Sequence, residues 1–100
     1  MFLHFTDNDW KLQAIYKQVL RSGTSISANV HESEFAQSPS DFASKLHIAL
    51  KEANETGYWL TLLLNAGYIS EAEYKEYNDD CAHLRYLLIS TINTSKKTSN

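Results

Sequence analysis

Apolar residues recur at intervals of three and four along most of the chain, the spacing of one face of an α-helix. Leu12, Ile15, Val19, Gly23, Ile26 and Val30 form the first such stripe, and Trp10 and Tyr16 widen it. Thr6, with Asp9 three residues on, resembles a weak capping box, and the pattern predicts a helix over about 8–34. Gly23 costs roughly 1 kcal/mol against alanine inside a helix. Its place on the stripe predicts close approach of a neighbouring helix.

The second helix is punctuated at both ends. Ser38 is a good N-cap, Pro39 suits the first helical position and Asp41 follows three residues after the cap. Phe42, Leu46, Ala49, Leu50, Ala53, Gly57, Leu60 and Leu64 then form one stripe, and Gly67 supplies the stop, predicting a helix over 39–66. Ile48, Trp59, Leu62 and Leu63 lie off that stripe, so its second half is read as buried on more than one side. The third helix opens at Ser70 with Glu73 as a capping box, over 71–93. It presents Tyr74, Tyr77, Cys81, Leu84 and Leu88, broadened by Leu87 and Ile92. Residues 95–100 read as a flexible tail.

Only Tyr68 and Ile69 separate the second helix from the capping serine of the third, so the two run antiparallel. The expected fold is all-α, an antiparallel up-down helical bundle in a single domain over 1–94. A helix over 39–66 is about 42 Å long at 1.5 Å per residue. Three such rods are too long to enclose a compact core, which predicts an apolar flank facing another subunit, and hence an oligomer.

Composition narrows the function classes. The 100 residues suffice for one domain, with 43% hydrophobic and 21% charged residues. A single cysteine excludes an internal disulfide, and three glycines with one proline are too few for most turn-rich β folds. No apolar run approaches the ~20 residues of a membrane span. The first residues lack the basic start and long apolar stretch of a signal peptide. A cytoplasmic location is the expectation.

The net charge of −3 argues against a dedicated nucleic-acid binder. The charge is uneven, however. Between residues 10 and 30 the only charges are Lys11, Lys17 and Arg21, whereas eight acids stand against Lys45, Lys51 and Lys75 between 41 and 80. Two packed elements of opposite charge would cancel; a basic stripe left open would meet phosphate.

Candidate chemistry is sparse. A di-metal bundle wants two Glu-x-x-His pairs, and the chain offers only Asp80 with His83 and Glu52 with Glu55, besides His31, Glu32 and His47. Cys81 sits on an apolar stripe, where a small buried hydrophobe is the natural reading. No nucleophile elbow, phosphate-cradling glycine loop or zinc spacing occurs, so no enzyme activity, cofactor, metal or small-molecule substrate is expected. Residues 21–29 are unusual: seven of the nine are small or hydroxyl-bearing. Such residues permit close helix packing, with hydroxyls bonded back to the preceding turn; with Arg21 they could instead contact phosphates. The packing reading pairs Arg21 or these hydroxyls with Glu52 and Glu55.

The string RSGTSISANV over 21–30, then Glu32, AQS over 36–38, Asp41 with Phe42, Lys45 with Leu46, and IALKEANET over 48–56 resembles the four-helix bundle protein family, also called the 23S rRNA intervening-sequence or S23 family. YWL over 58–60, Leu62 with Leu63, and AGYI over 66–69 continue a match from about Gln18 to Ile92. The resemblance implies an antiparallel four-helix bundle that assembles into a ring, typically a pentamer, encoded in some bacteria within insertions in 23S rRNA genes. It also implies that Arg21, Ser25, Asn29, Glu32, Glu52 and Glu55 make polar contacts between helices. The activity of most members is unknown. A related branch serves diversity-generating retroelements as a basic, nucleic-acid-binding ring, which this acidic sequence fits poorly.

Ser27 stands where the family motif has Gly. The family also has a helix upstream of the matching region that residues 1–9 are too few to supply, so the first helix of the bundle is read as short or missing. An empty first position would expose an apolar groove, to be filled by subunit exchange or a partner helix. Ile15, Val19 and Trp59 are the candidate interface residues. The leading expectation is a non-enzymatic oligomeric module. The alternative is a nucleic-acid-associated accessory protein using Lys11, Lys17 and Arg21.

Overall fold

The computed structural model describes residues 9–98, which form three helices and no strand: α1 (Trp10–Ser33), α2 (Pro39–Asn65) and α3 (Glu71–Thr98). The fold is all-α. A fourth helix is not present among the described residues, so the expected four-helix bundle is seen as three helices.

Each boundary has a local cause. The Asp9 carboxylate accepts the Leu12 N–H at 3.1 Å and caps α1; Thr6, the other member of the expected pair, lies outside the described residues. Ser38 Oγ accepts from the Asp41 N–H at 3.0 Å, with Pro39 next to it, starting α2. Gly67 adopts φ +80°, a conformation that favours glycine. There the Tyr68 N–H bonds to the Leu63 carbonyl and the Gly67 N–H to the Leu64 carbonyl, closing α2 in a Schellman turn. Ser70 and Glu73 exchange both bonds of a capping box at 3.1 and 3.0 Å. The third helix runs on to Thr98, so residues 95–98, expected in a tail, are helical. Ile92 at 3% exposure anchors this last stretch.

Helix α2 is the centre of the molecule. Both α1 and α3 pack against it antiparallel, and their backbones have no close approach to each other. The resulting layer measures 53 × 22 × 15 Å.

Two apolar clusters hold the layer together. Near one end Ile26 of α1 and Leu88 and Ile92 of α3 meet over Leu46, Ala49 and Ala53 of α2. Ala49 and Ala53 are fully buried, and their small size lets side chains from both flanking helices reach the same place. At the other end Leu12 and Val19 pack with Leu60, Leu63 and Ile69. Leu60 and Leu63 are completely buried, each stabilising the fold by about 1.5–3 kcal/mol.

Candidate functional site

One hydroxyl of the hydroxyl-rich stretch of α1 reaches α2. Ser22 is buried, and Thr56 Oγ1 donates to its Oγ at 2.7 Å. Arg21 lies on the solvent edge of the same seam. Its Nη1 is 3.2 Å from Glu52 Oε2 and its Nη2 is 2.6 Å from Glu55 Oε2, while its Nε donates to Gln18 at 3.0 Å. The hydrogen bond to Glu55, followed by the influence of Glu52, holds the guanidinium even more firmly protonated than usual, against an opposing desolvation. Towards the other end of the two helices, Lys45 reaches Glu32 at 3.3 Å.

The remaining candidates of the motif stay local. Asn29 Nδ2 donates to the Ser25 carbonyl at 2.8 Å and approaches its Oγ at 3.3 Å, both within α1. Thus Arg21, Glu32, Glu52 and Glu55 bridge the helices, whereas Ser25 and Asn29 brace the turn between them. Sequence reasoning missed Ser22 and Thr56 as the buried pair. The available signal was position, since Ser22 falls three residues after Val19 and four before Ile26.

Lys11 and Lys17 are exposed, Lys11 with its ammonium 5.7 Å from the Trp10 ring centre. Val19 is buried in the second cluster, and Ile15 and Trp59 pack against it. Of the three candidate interface residues, Val19 therefore lies in the chain's own core, because that end of α1 turns its apolar face to α2, while Ile15 and Trp59 are partly buried beside it. Trp59 Nε1 is buried with no hydrogen-bond partner. Among the described residues no group of three His, Cys, Asp or Glu side chains is placed to hold a metal, and no helix is long and apolar enough to cross a membrane. Burial pushes the Cys81 thiol above its ordinary value, with Arg85 opposing the rise and Asp80 adding to it.

The open feature of the layer is a trough between α1 and α3, above α2. Towards one end it is lined by Thr56 and Leu60 on the floor with Glu76, Tyr77, Asp80 and Cys81 of α3. Further along it runs between Ile26, Ser27 and Val30 of α1 and Leu84 of α3. Gly23 shares this rim of α1 with Ser27 and Val30. The close helix contact expected at Gly23 is not made: a Cβ built there meets nothing within 4 Å, and the backbones of α1 and α3 do not approach each other.

The model of the 23S rRNA-intervening sequence protein family matches residues 4–90, further upstream than the resemblance beginning at Gln18. The chain belongs to this family. A member's crystal structure, that of a protein of unknown function from the S23 ribosomal protein family of Bacteroides thetaiotaomicron, superimposes with a TM-score of 0.80 at 54% identity. The match covers 85% of this chain and 79% of that one. Comparison with curated proteins gives no match. In this member of the intervening-sequence family the seam of Arg21, Ser22, Glu52, Glu55 and Thr56 fastens α1 to α2.

Proposed function

We propose that this member of the 23S rRNA-intervening sequence family is a non-enzymatic assembly module, a subunit of a homo-oligomer. The observation that carries the reading is the open trough, floored by Thr56 and Leu60 and rimmed by Val30 and Leu84. The backbones of α1 and α3 flank α2 without approaching each other, which leaves room for a further helix between them. Covering the partly exposed apolar side chains along it, Val30, Tyr77 and Leu84, would lower the free energy, since apolar surface is better removed from water. A fourth helix in that position completes a bundle of the family's kind, and a ring, five-membered by family resemblance, is the assembly proposed.

The second reading, a nucleic-acid-associated accessory protein, relies on Lys11, Lys17 and Arg21. Arg21 is engaged by Glu52 and Glu55 of its own chain, which leaves two exposed lysines on α1. This favours the assembly reading, because phosphate binding draws on several free cations. Light scattering during size-exclusion chromatography, with absorbance at 260 and 280 nm, separates the two. A multimer of 11.4 kDa subunits with a protein-like absorbance ratio is expected. A monomer would remove the assembly reading, and excess absorbance at 260 nm would put the nucleic-acid reading first.

A further inference from the structure

Helix α3 carries a second seam at heptad spacing besides the one packed on α2. The inner seam, Tyr74, Tyr77, Cys81, Leu84, Leu88 and Ile92, joins the two apolar clusters. The outer one runs Asp79, Ala82, Tyr86, Ile89, Asn93 and Lys96, at alternating intervals of three and four, and every residue of it is exposed. Around the helix Ile89 is turned about 100° from the buried Leu88 in one sense, and Asp80 of the trough about 80° in the other. The outer seam therefore lies away from the trough and shares no residue with its lining.

A single exposed apolar residue is ordinary on a protein surface. Between residues 84 and 89, however, α3 is apolar on every side except at Arg85. Tyr86 is 67% exposed, Leu87 46% and Ile89 45%. A helix that is apolar all round is one that is covered all round. Leu87 belongs to the trough side, at nearly the angle of Asp80, whereas Tyr86 and Ile89 stand on the outer seam.

We propose that the outer seam of α3 pairs with the same seam of a second copy, antiparallel, about a two-fold axis between Tyr86 and Ile89. The order of residues along the seam selects both the partner and the direction. Taken inwards from its two ends, the seam reads Asp79 and Lys96, then Ala82 and Asn93, then Tyr86 and Ile89. Each of these pairs is centred on the same point of the helix. An antiparallel copy thus sets Tyr86 on Ile89 of the second copy, Ala82 on Asn93 and Asp79 on Lys96, each twice by symmetry. The heptad spacing keeps all of these layers in one contact line. A parallel copy would set Asp79 on Asp79 and Lys96 on Lys96, like charge against like. Asp79 already holds Lys75 of its own helix at 2.7 Å, and a carboxylate accepts from more than one donor.

Such a contact is isologous, with the same patch on both copies, and it closes at two. A contact between neighbours around a ring is heterologous, so this one is separate from it and goes beyond the assembly reading. It doubles the species that carries it. A single chain becomes a dimer and a ring pairs with a second ring, so the number of subunits is even in either case.

Light scattering of the wild-type chain should give an even multiple of 11.4 kDa. Tyr86→Lys puts an ammonium group twice into the apolar centre of the contact and should halve that mass. Its helical circular dichroism should be unchanged, because Tyr86 is exposed and belongs to neither apolar cluster. Asp79→Lys sets two ammonium groups against each other at both ends of the contact and should weaken pairing by about tenfold. Adding Lys96→Glu to the same chain exchanges the two charges and should restore it. An odd number of subunits, three or more, would overturn the inference and leave the assembly reading standing. An even-numbered wild type whose mass Tyr86→Lys keeps would do the same. A fall from more than two copies to a single chain would also overturn it, since the patch would then belong to the ring contact. So would a double variant that pairs no better than Asp79→Lys alone. A wild type that stays a single chain at every concentration would remove both readings.

Discussion

Ser22 Oγ and Thr56 Oγ1 lie 2.7 Å apart at the buried centre of the α1–α2 interface, a direct hydroxyl-to-hydroxyl bridge between those helices. Each also has a carbonyl of its own helix in reach, Gln18 for Ser22 and Glu52 for Thr56, both at 2.9 Å. Neither oxygen is therefore orphaned when the other is removed, and the bond is worth close to the net value of a neutral one. Ser22→Ala and Thr56→Val should each destabilise the chain by about 1 kcal/mol in urea unfolding. The double variant should lose less than the sum of the singles, by roughly 0.5 kcal/mol or more. Strict additivity would show that the bridge contributes nothing of its own.

Leu60 gives the scale for the apolar part. It is completely buried, on the floor of the trough, and it joins the cluster containing Leu12, Val19, Leu63 and Ile69. Leu60→Ala should cost about 2–5 kcal/mol, against a typical total of about 5–15 kcal/mol. Leu20→Ala, on the half-exposed outer side of α1, should stay within about 0.5 kcal/mol. Urea midpoints at one protein concentration distinguish the two. Equal losses would mean that Leu20 is covered in the molecule as it exists in solution.

The punctuation of the fold was legible because capping is local. Ser38 with Pro39, Ser70 with Glu73, and Gly67 each act within a few residues, and the structure uses all of them. The bridge from Arg21 to Glu52 and Glu55 was legible too, since residues 10–30 carry no acid that could pair with Arg21 within its own helix. What depends on the lateral arrangement of helices was not. Gly23 reads as a point of close approach, yet whether a helix lies there is decided by which flank α3 takes on α2. Val19 reads as a groove residue and is instead core, because a stripe shows which residues are buried together and not against what. The extension of α3 to Thr98 was hidden by polar composition, and its anchor, Ile92, lies six residues earlier.

Tyr68 connects the end of α2 to the start of α1: its hydroxyl donates to Asp9 Oδ1 at 2.9 Å. That bond, then desolvation and the Asp9 charge, raises the phenol above its ordinary value. The folded chain keeps this proton to higher pH than the unfolded one. The stabilisation is therefore complete below about pH 10 and is lost as pH climbs through the folded value. In an ultraviolet titration one of the six tyrosines should ionise late, and Tyr68→Phe should remove that component. Asp9→Asn should shift it down while keeping the helix cap, since Asn caps as well as Asp. A titration unchanged by Asp9→Asn would disprove the coupling.

Cys81 should be a slow thiol. It lies half-buried beside Tyr77 in the trough, and desolvation, with Asp80, raises its pKa above the ordinary value. Because the thiolate is the reactive form, alkylation by iodoacetamide at pH 8 should be slower in the folded chain than in urea. Asp80→Asn should quicken the folded reaction by removing the nearby negative charge. A folded rate equal to the unfolded one would mean that this part of the trough is neither shielded nor desolvated.

Gly23 separates the stability of the chain from its assembly. A Cβ there meets nothing within 4 Å, and the residue lies in the interior of α1. Within the single chain Gly23→Ala should therefore be stabilising, by about 1 kcal/mol, through helix propensity alone. In the assembly the same methyl group would stand on the trough rim, where an incoming helix lies closest. The variant should thus show a higher urea midpoint as an isolated chain and a weaker concentration-dependent association in light scattering. Greater stability with undiminished association would mean that nothing packs closely on Gly23. Lower stability would mean that the position is already covered within the folded chain.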